Sequence, residues 1–457
     1  MTRRSFVAAG AAATLLPRHV LGRGFVAPSD RLNIAAVGIG GMGKNNVAQC
    51  AEYENIVALC DVDETRAAPV FEKYPAAKRY RDFRRMLERE KAIDAVIIAT
   101  PDHSHAVIAM AAMQLGKHVY LQKPLARTIG ETRRLAEAAR YYKVATQMGN
   151  QGHSSEGLRL LCEWIWDGAI GPVREVHCFT DRPIWPQGIE RPSDTPPVPP
   201  GLDWDLWLGP APSRPYHPAY HPSRWRAWLD FGSGALGDMG CHIMDAPYTV
   251  LKLGAPQAIE ALCAQQYVAQ YEGPRKKFEN SETYPIASIV HYYFPAREGM
   301  PAVDLHWYDG GMRPPRPKDL EKERQMSFGD GGGTIFVGDK GKIVCGTHGN
   351  SPRIIPESKM REYKRPPKTL PRVVGSHEHN WIEACKGGPP ATSNFDYAQG
   401  LTETVLLGNV ALRFPGQFLE WDGVSGKFTN FPAANELLEP IYRPGWQLLN
   451  SQLEGRL

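Results

Sequence analysis

The feature that most restricts this chain is the glycine run Gly38-Ile39-Gly40-Gly41-Met42-Gly43, set between an apolar stretch from Leu32 to Val37 and a helix-compatible stretch from Lys44 to Glu52. A strand, a tight glycine turn and a helix in that order build an anion site. Gly38 permits the turn, Gly40 lets the backbone approach a phosphate, and Gly43 lets helix and strand pack closely, with Gly41 and Met42 completing the loop. The helix N-terminus adds unpaired N–H groups and a positive dipole end. The ligand implied is a dinucleotide pyrophosphate.

A second apolar run, Ile56 to Cys60, reads as the neighbouring buried strand and delivers Asp61 at its end. A carboxylate there accepts hydrogen bonds from adenosine ribose hydroxyls and repels a 2′-phosphate, so NAD is expected over NADP. At 457 residues the chain is too long for one simple core. It divides into a signal segment (1–24), a dinucleotide domain (25–150) and a second domain (151–457). Lys plus Arg number 53 against 49 Asp plus Glu, and no basic stretch could follow a nucleic-acid backbone. A small-molecule ligand is expected, with no nucleic-acid partner. The eight cysteines show no C-x-x-C spacing and sit in apolar runs, as small buried hydrophobes do.

Thr2-Arg3-Arg4-Ser5-Phe6-Val7 followed by the apolar run Ala8 to Leu16 has the layout of a twin-arginine export signal, too short to span a bilayer. The expected compartment is the periplasm, with no membrane association beyond the signal. Periplasm is not expected to supply free nicotinamide nucleotide, so such an enzyme should keep its cofactor.

Between 25 and 150, strand-like runs (Leu32 to Val37, Ile56 to Cys60, Ala95 to Ala99, His118 to Leu121, Val144 to Met148) alternate with helical ones. That grammar predicts an α/β Rossmann domain with a parallel sheet covered on both faces. The helix after Pro124 opens on a Thr128-x-x-Glu131 capping box. Beyond Gly152 the pattern changes: a helix from Ser154 to Trp166, a strand from Val173 to Thr180, then seven prolines between Pro183 and Gly201 that forbid regular structure. Later segments alternate with period two and lack intervening helices, predicting an α+β domain with a largely antiparallel open sheet. Its free face is expected to pair subunits in a homo-oligomer. Residues 353–372, rich in Pro and Lys, read as a surface excursion.

Lys123, at the end of the His118 to Leu121 strand, lies on the cofactor side of a parallel sheet. Asp238 and His242 stand four apart on a predicted helix, where a carboxylate can meet an imidazole and raise its basicity. His103/His105 and His377/His379 form H-x-H pairs without a third ligand at motif spacing; alternate residues of an extended segment point apart and the first pair sits in the cofactor turn, so no metal is expected.

These residues resemble the glucose-fructose oxidoreductase, inositol dehydrogenase and rhizopine-catabolism (Gfo/Idh/MocA) oxidoreductases. The likeness covers nearly the whole chain after the signal. It rests on the Gly38 to Gly43 turn, Asp61, Ala99-Thr100-Pro101-Asp102-His103-Ser104-His105, Gln122-Lys123-Pro124 in place of the family's Glu-Lys-Pro, and Asp238 with His242. The resemblance implies cofactor contacts from Thr100, Pro101, His105, Gln122, Lys123 and Asn150 as well as the glycine turn. It implies catalysis by Lys123, Asp238 and His242, with hydride passing between NAD and a ring-hydroxyl carbon of a sugar, glycoside or polyol. Trp185, Tyr216, His217, Arg224 and Trp225 are candidate sugar contacts, since aromatic and guanidinium groups stack on and bind hydroxylated rings. Gln122 departs from the family's glutamate and removes a charge beside Lys123. Redox-neutral glycoside cleavage is the alternative reaction, and a nucleotide-binding module without catalysis is a third class. The Asp238-x-x-x-His242 pattern favours the dehydrogenase.

Overall fold

The structure, a computed structural model, describes residues 30–264, 267–268, 276–277, 281–328 and 331–448. The twin-arginine segment lies outside the described residues. The first domain carries strands β1 (Asn33–Val37), β2 (Asn55–Cys60), β3 (Lys78–Tyr80), β4 (Ala95–Ile98), β5 (His118–Leu121) and β6 (Thr146–Met148). They form one sheet in the order β3-β2-β1-β4-β5-β6, with every pair parallel. The β-branched and small residues of β1 and β4 are almost wholly buried, because helices cover both faces. The order reverses direction between β1 and β4, which opens a crevice at the carboxyl ends of the strands. The helix Ile129–Tyr142 starts with the expected capping box, Thr128 and Glu131 each bonding the other's backbone. β3 has no apolar run to announce it: it is an edge strand with Lys78 and Arg79 exposed.

The second domain is built on β7 (Val173–Phe179), β8 (Ala258–Cys263), β9 (Tyr267–Val268), β10 (Lys276–Lys277), β11 (Ser288–Phe294), β12 (Val303–Tyr308), β13 (Gly333–Gly338), β14 (Gly341–Cys345), β15 (Arg353–Ile355), β16 (Leu419–Asp422) and β17 (Lys427–Phe428). Nine of them form a sheet in the order β15-β14-β13-β7-β12-β11-β8-β16-β17; β9 and β10 make a separate ribbon. Only β7 and β12 pair in parallel within the nine, a consequence of the long excursion between them. Period-two alternation puts Val176, Cys178, Val290, Tyr292, Leu305 and Trp307 into the core shared with the helices. Residues 181–200 contain no helix or strand, as their prolines require. The 353–372 excursion begins as edge strand β15 and the short helix Glu357–Glu362. Arg372 then anchors it to Glu163 on the helix Glu156–Trp166, donating from Nη2 at 2.8 Å. All eight cysteines are unpaired thiols.

After this sheet the chain returns to the first domain. The helix His377–Cys385 inserts Trp381 and Ile382, both fully buried, against Ile34, Ala36 and Tyr120. The outer edge of β6 is capped by residue 393: Met148 N donates to the Ser393 carbonyl at 2.8 Å, and Ser393 N to Gln147 Oε1 at 2.8 Å. The cofactor domain therefore depends on a segment more than two hundred residues away in the chain. Trp381→Ala is expected to destabilise the protein by roughly 3–5 kcal/mol, as truncations of buried tryptophan do, measured by denaturant unfolding with a matched loss of nucleotide binding.

Candidate active site

A cavity of about 540 Å³ lies at the carboxyl ends of the parallel strands and is walled on its far side by the second domain. That volume falls in the ~300–1,000 Å³ range of small-molecule sites. Gly38, Gly40, Gly41, Met42, Asp61, Thr100, Pro101, Gln122 and Lys123 all line it, as do Trp225, Asp238 and His242.

The glycine turn is built by sterics. Gly38 has φ +80°, and a Cβ there would stand 2.7 Å from the Ala99 carbonyl group. A Cβ at Gly43 would stand 2.0 Å from Gly38 O, so helix and turn meet backbone to backbone. Gly41 has open space around it. Asp61 holds the loop in shape: its Oδ2 accepts from Ile39 N at 2.8 Å and Gly40 N at 3.0 Å, and its Oδ1 from Asp63 N at 3.0 Å. Burial raises the Asp61 pKa, and those backbone donors oppose the rise.

Lys123 and Asp238 come from different domains and meet in this cavity. The Lys123 ammonium donates to Asp238 Oδ1 at 2.8 Å and to the Asp238 carbonyl at 2.6 Å, with both side chains under 15% exposed. Arg226 Nε donates to the same Oδ1 at 2.9 Å, and its guanidinium lies 4.3 Å from the Trp225 ring centroid. Burial disfavours the Asp238 carboxylate, but these two cations outweigh it and hold its pKa below the usual range. His242 sits one turn along the helix Gly234–Ile243 and faces the same cavity. Burial, reinforced by Lys123 and His348, pushes its imidazole well below its ordinary pKa, so the ring is neutral near pH 7. Its Nδ1 has no hydrogen-bond partner among the described residues, and His348 packs edge-on with ring centroids 4.8 Å apart.

Several expectations are corrected. Asp238 bonds Lys123 and Arg226 and not His242: in the short helix the carboxylate turns toward cations from other elements. The His105 side chain does not reach the cavity, because Nδ1 sits 2.8 Å from Pro124 O and Nε2 2.9 Å from Thr100 O. His103 and His105 lie on the helix Asp102–Gln114, and His377 and His379 on the helix His377–Cys385, so neither pair is extended. Asn150 is fully buried and does not line the cavity, its amide unpartnered among the described residues. Gln122 Nε2 donates to Asn46 Oδ1 at 3.1 Å beside the glycine helix.

Of the sugar candidates, Trp225 alone lines the cavity. Trp185 is one layer back, 5.7 Å from the Arg226 guanidinium; Tyr216 packs edge-on against Trp204; His217 pairs with Asp194; Arg224 points to the Pro218 carbonyl. Residues 224–227 form a 3₁₀ turn, whose rotation of about 120° per residue sends Arg226 inward and Arg224 out. Arg182, Gln151, Thr347 and His348 also line the cavity and were missed. His348 follows β14 with no motif around it, so only tertiary structure reveals it.

Comparison with known proteins agrees with this geometry in both domains. Residues 32–150 match the Gfo/Idh/MocA profile described as an oxidoreductase family, NAD-binding Rossmann fold, and residues 173–277 match the profile of that family's C-terminal alpha/beta domain. The chain belongs to the Gfo/Idh/MocA oxidoreductases. Its first domain is thus an NAD-binding Rossmann domain. It is 32% identical over 151 residues to an inositol 2-dehydrogenase of Salmonella typhimurium, covering 32% of this chain and 45% of that protein. A levoglucosan dehydrogenase of Pseudarthrobacter phenanthrenivorans is 26% identical over 242 residues, 50% of this chain and 54% of that one. A glycosyl hydrolase family 109 protein of Shewanella putrefaciens is 31% identical over 163 residues, 33% and 35% of the two chains. The chain spans about half or less of the length of these curated relatives. Among solved structures, the WlbA dehydrogenase of Bordetella pertussis, in complex with NADH and UDP-GlcNAcA, superposes with a TM-score of 0.57 at 18% identity over 86% of this chain and 99% of that one. That likeness is one of fold.

The contrast between two glycines tests the turn. Gly41→Ala is expected to leave stability within about 0.5 kcal/mol, as substitutions into open surface do. Gly43→Ala is expected to lower the thermal midpoint and weaken NAD binding at least tenfold, measured by thermal melts with and without nucleotide.

Proposed function

We propose that this chain is an NAD-dependent oxidoreductase that moves a hydride between the nicotinamide and a hydroxyl-bearing carbon of a sugar, glycoside or polyol. The observation that carries the reading is the meeting of Lys123, Asp238 and a neutral His242 in the cavity that the glycine turn lines.

The residues fit the nucleotide. The free space at Gly41, the turn N–H groups and the Asp61 carboxylate would hold the pyrophosphate and adenosine ribose, with Thr100, Pro101 and Gln122 along the path. When bound, NAD supplies a hydride acceptor and donor. The remaining chemistry belongs to the chain. Two of the three N–H donors of Lys123 go to Asp238, and the third is left to bond the substrate oxygen and stabilise developing alkoxide. The neutral His242 accepts the hydroxyl proton. Asp238 fixes Lys123 and Arg226 in place, and Arg226 with Trp225 offers a donor and an aromatic face to a hydroxylated ring.

The family 109 likeness supports redox-neutral glycoside cleavage as a second reading, but it covers only a third of this chain. Incubation with glycosides separates the two: a keto sugar formed with equimolar NADH supports the dehydrogenase, whereas aglycone release without net NADH supports cleavage. We also infer an exported enzyme that keeps its NAD and pairs through the free face of its second sheet. The Thr2 to Val7 motif supports export, and mass spectrometry of the native periplasmic protein tests export, cofactor retention and subunit number together.

His242→Gln is expected to lower kcat by roughly 10²–10⁴-fold with the NAD dissociation constant unchanged. Because burial depresses the His242 pKa, that group is protonated only well below the ordinary imidazole value of about 6.5. The acid limb of kcat/KM for oxidation should therefore fall below pH 6.5, with no loss of rate from this group between pH 7 and 8; an acid limb at 7 or above contradicts the assignment.

A further inference from the structure

The face of the second sheet turned away from the helices carries a cluster that the proposed oxidoreductase chemistry does not use. Parallel pairing sets His306 of β12 opposite His177 of β7, and antiparallel pairing sets His291 of β11 opposite His306. Three imidazoles thus stand in one row across three strands, with Glu175 two residues before His177 on the same face. Glu175 Oε1 lies 3.2 Å from His177 Nε2 and 3.5 Å from His306 Nε2. One ligand atom from each of the three residues can be chosen so that all lie within 4.8 Å of one another. None of these residues lines the nucleotide cavity.

We propose that Glu175, His177 and His306 form a binding site for a divalent transition ion of the zinc class, with the fourth position left to water. Ligands at zinc distances of about 2.0–2.2 Å in a tetrahedron stand roughly 3.3–3.5 Å apart, and the two Glu175 separations match that edge. Two imidazoles and one carboxylate suit zinc better than the all-oxygen sets of magnesium or calcium. The ring nitrogens turned away from Glu175 are also engaged. His177 Nδ1 lies 3.3 Å from the Tyr308 hydroxyl, and His306 Nδ1 lies 2.5 Å from His291 Nδ1. Such partners fix ring orientation in metal sites, leaving Nε2 for the ion. His177 and His306 stack at 5.2 Å between centroids with planes 26° apart, so a small rotation of either ring closes the set. Neither H-x-H pair takes part; strand register assembles ligands that no local spacing announces.

The test is calorimetric titration of the tag-free, chelator-stripped full chain with zinc chloride, beside His306→Gln and Glu175→Gln, with NAD binding confirming that each variant is folded. One tight equivalent is expected in the parent protein, weakened at least 100-fold in either variant. His291→Phe, which removes only an outer partner, should weaken it about 10–100-fold. Cobalt should give the visible bands of a tetrahedral site in the parent protein, a readout that needs no variant. Equal zinc affinity in parent and folded variants, absence of a tight equivalent in the parent, or an octahedral cobalt spectrum overturns the proposal.

Discussion

The ion pair between Lys123 and Asp238 ties the site together. Lys123 follows β5 of the nucleotide domain and Asp238 sits on a helix of the second domain, so their 2.8 Å contact fixes one domain against the other at the cavity floor. Both side chains are largely shielded from water. A shielded pair of this kind repays its desolvation only when further hydrogen bonds satisfy it, and its removal on one side leaves a stranded charge. Arg226 and the Asp238 carbonyl supply those extra bonds. The pair is best understood as a positioning device: it spends two of the lysine's donors to aim the third.

That arrangement also sets the character of His242. Burial and then the Lys123 ammonium discourage protonation of the imidazole, and the nearby Asp238 carboxylate is already engaged by Lys123 and Arg226. The ring is therefore a free base near neutrality, able to accept a proton but weakly basic. Catalysis on this account leans on neutralising the oxygen through Lys123 as much as on pulling its proton, which is the division expected where alkoxide develops in a shielded pocket. The glutamine at position 122 fits the same balance, because it directs its amide to Asn46 and adds no charge next to the lysine.

Much of this was legible in the chain, for identifiable reasons. Buried parallel strands must be apolar on both faces, so β1, β2, β4 and β5 stand out; β3, exposed at an edge with Lys78 and Arg79, does not. The glycine turn is legible because steric contacts as close as 2.0 Å leave no other residue for Gly43. Lys123, Asp238 and His242 line one cavity, but helical spacing misassigned the partner of Asp238, since i,i+4 neighbours compete with groups from other elements. Arg224 was chosen by side-chain type alone, which cannot tell it from Arg226; the 3₁₀ turn puts the two on different sides and brings Arg226 to the cavity. His348 and the Glu175 cluster depend on how distant strands align, which period-two patterning does not encode.

The central claim is that Lys123 and His242 flank one nicotinamide ring. A crystal structure of the full chain with NAD and a bound polyol tests it directly. The account predicts the nicotinamide C4 facing a substrate carbon whose hydroxyl oxygen lies within hydrogen-bond reach of both Lys123 Nζ and the His242 ring. A nucleotide bound with its nicotinamide turned away from this pair, or a polyol held elsewhere on the protein, would contradict it.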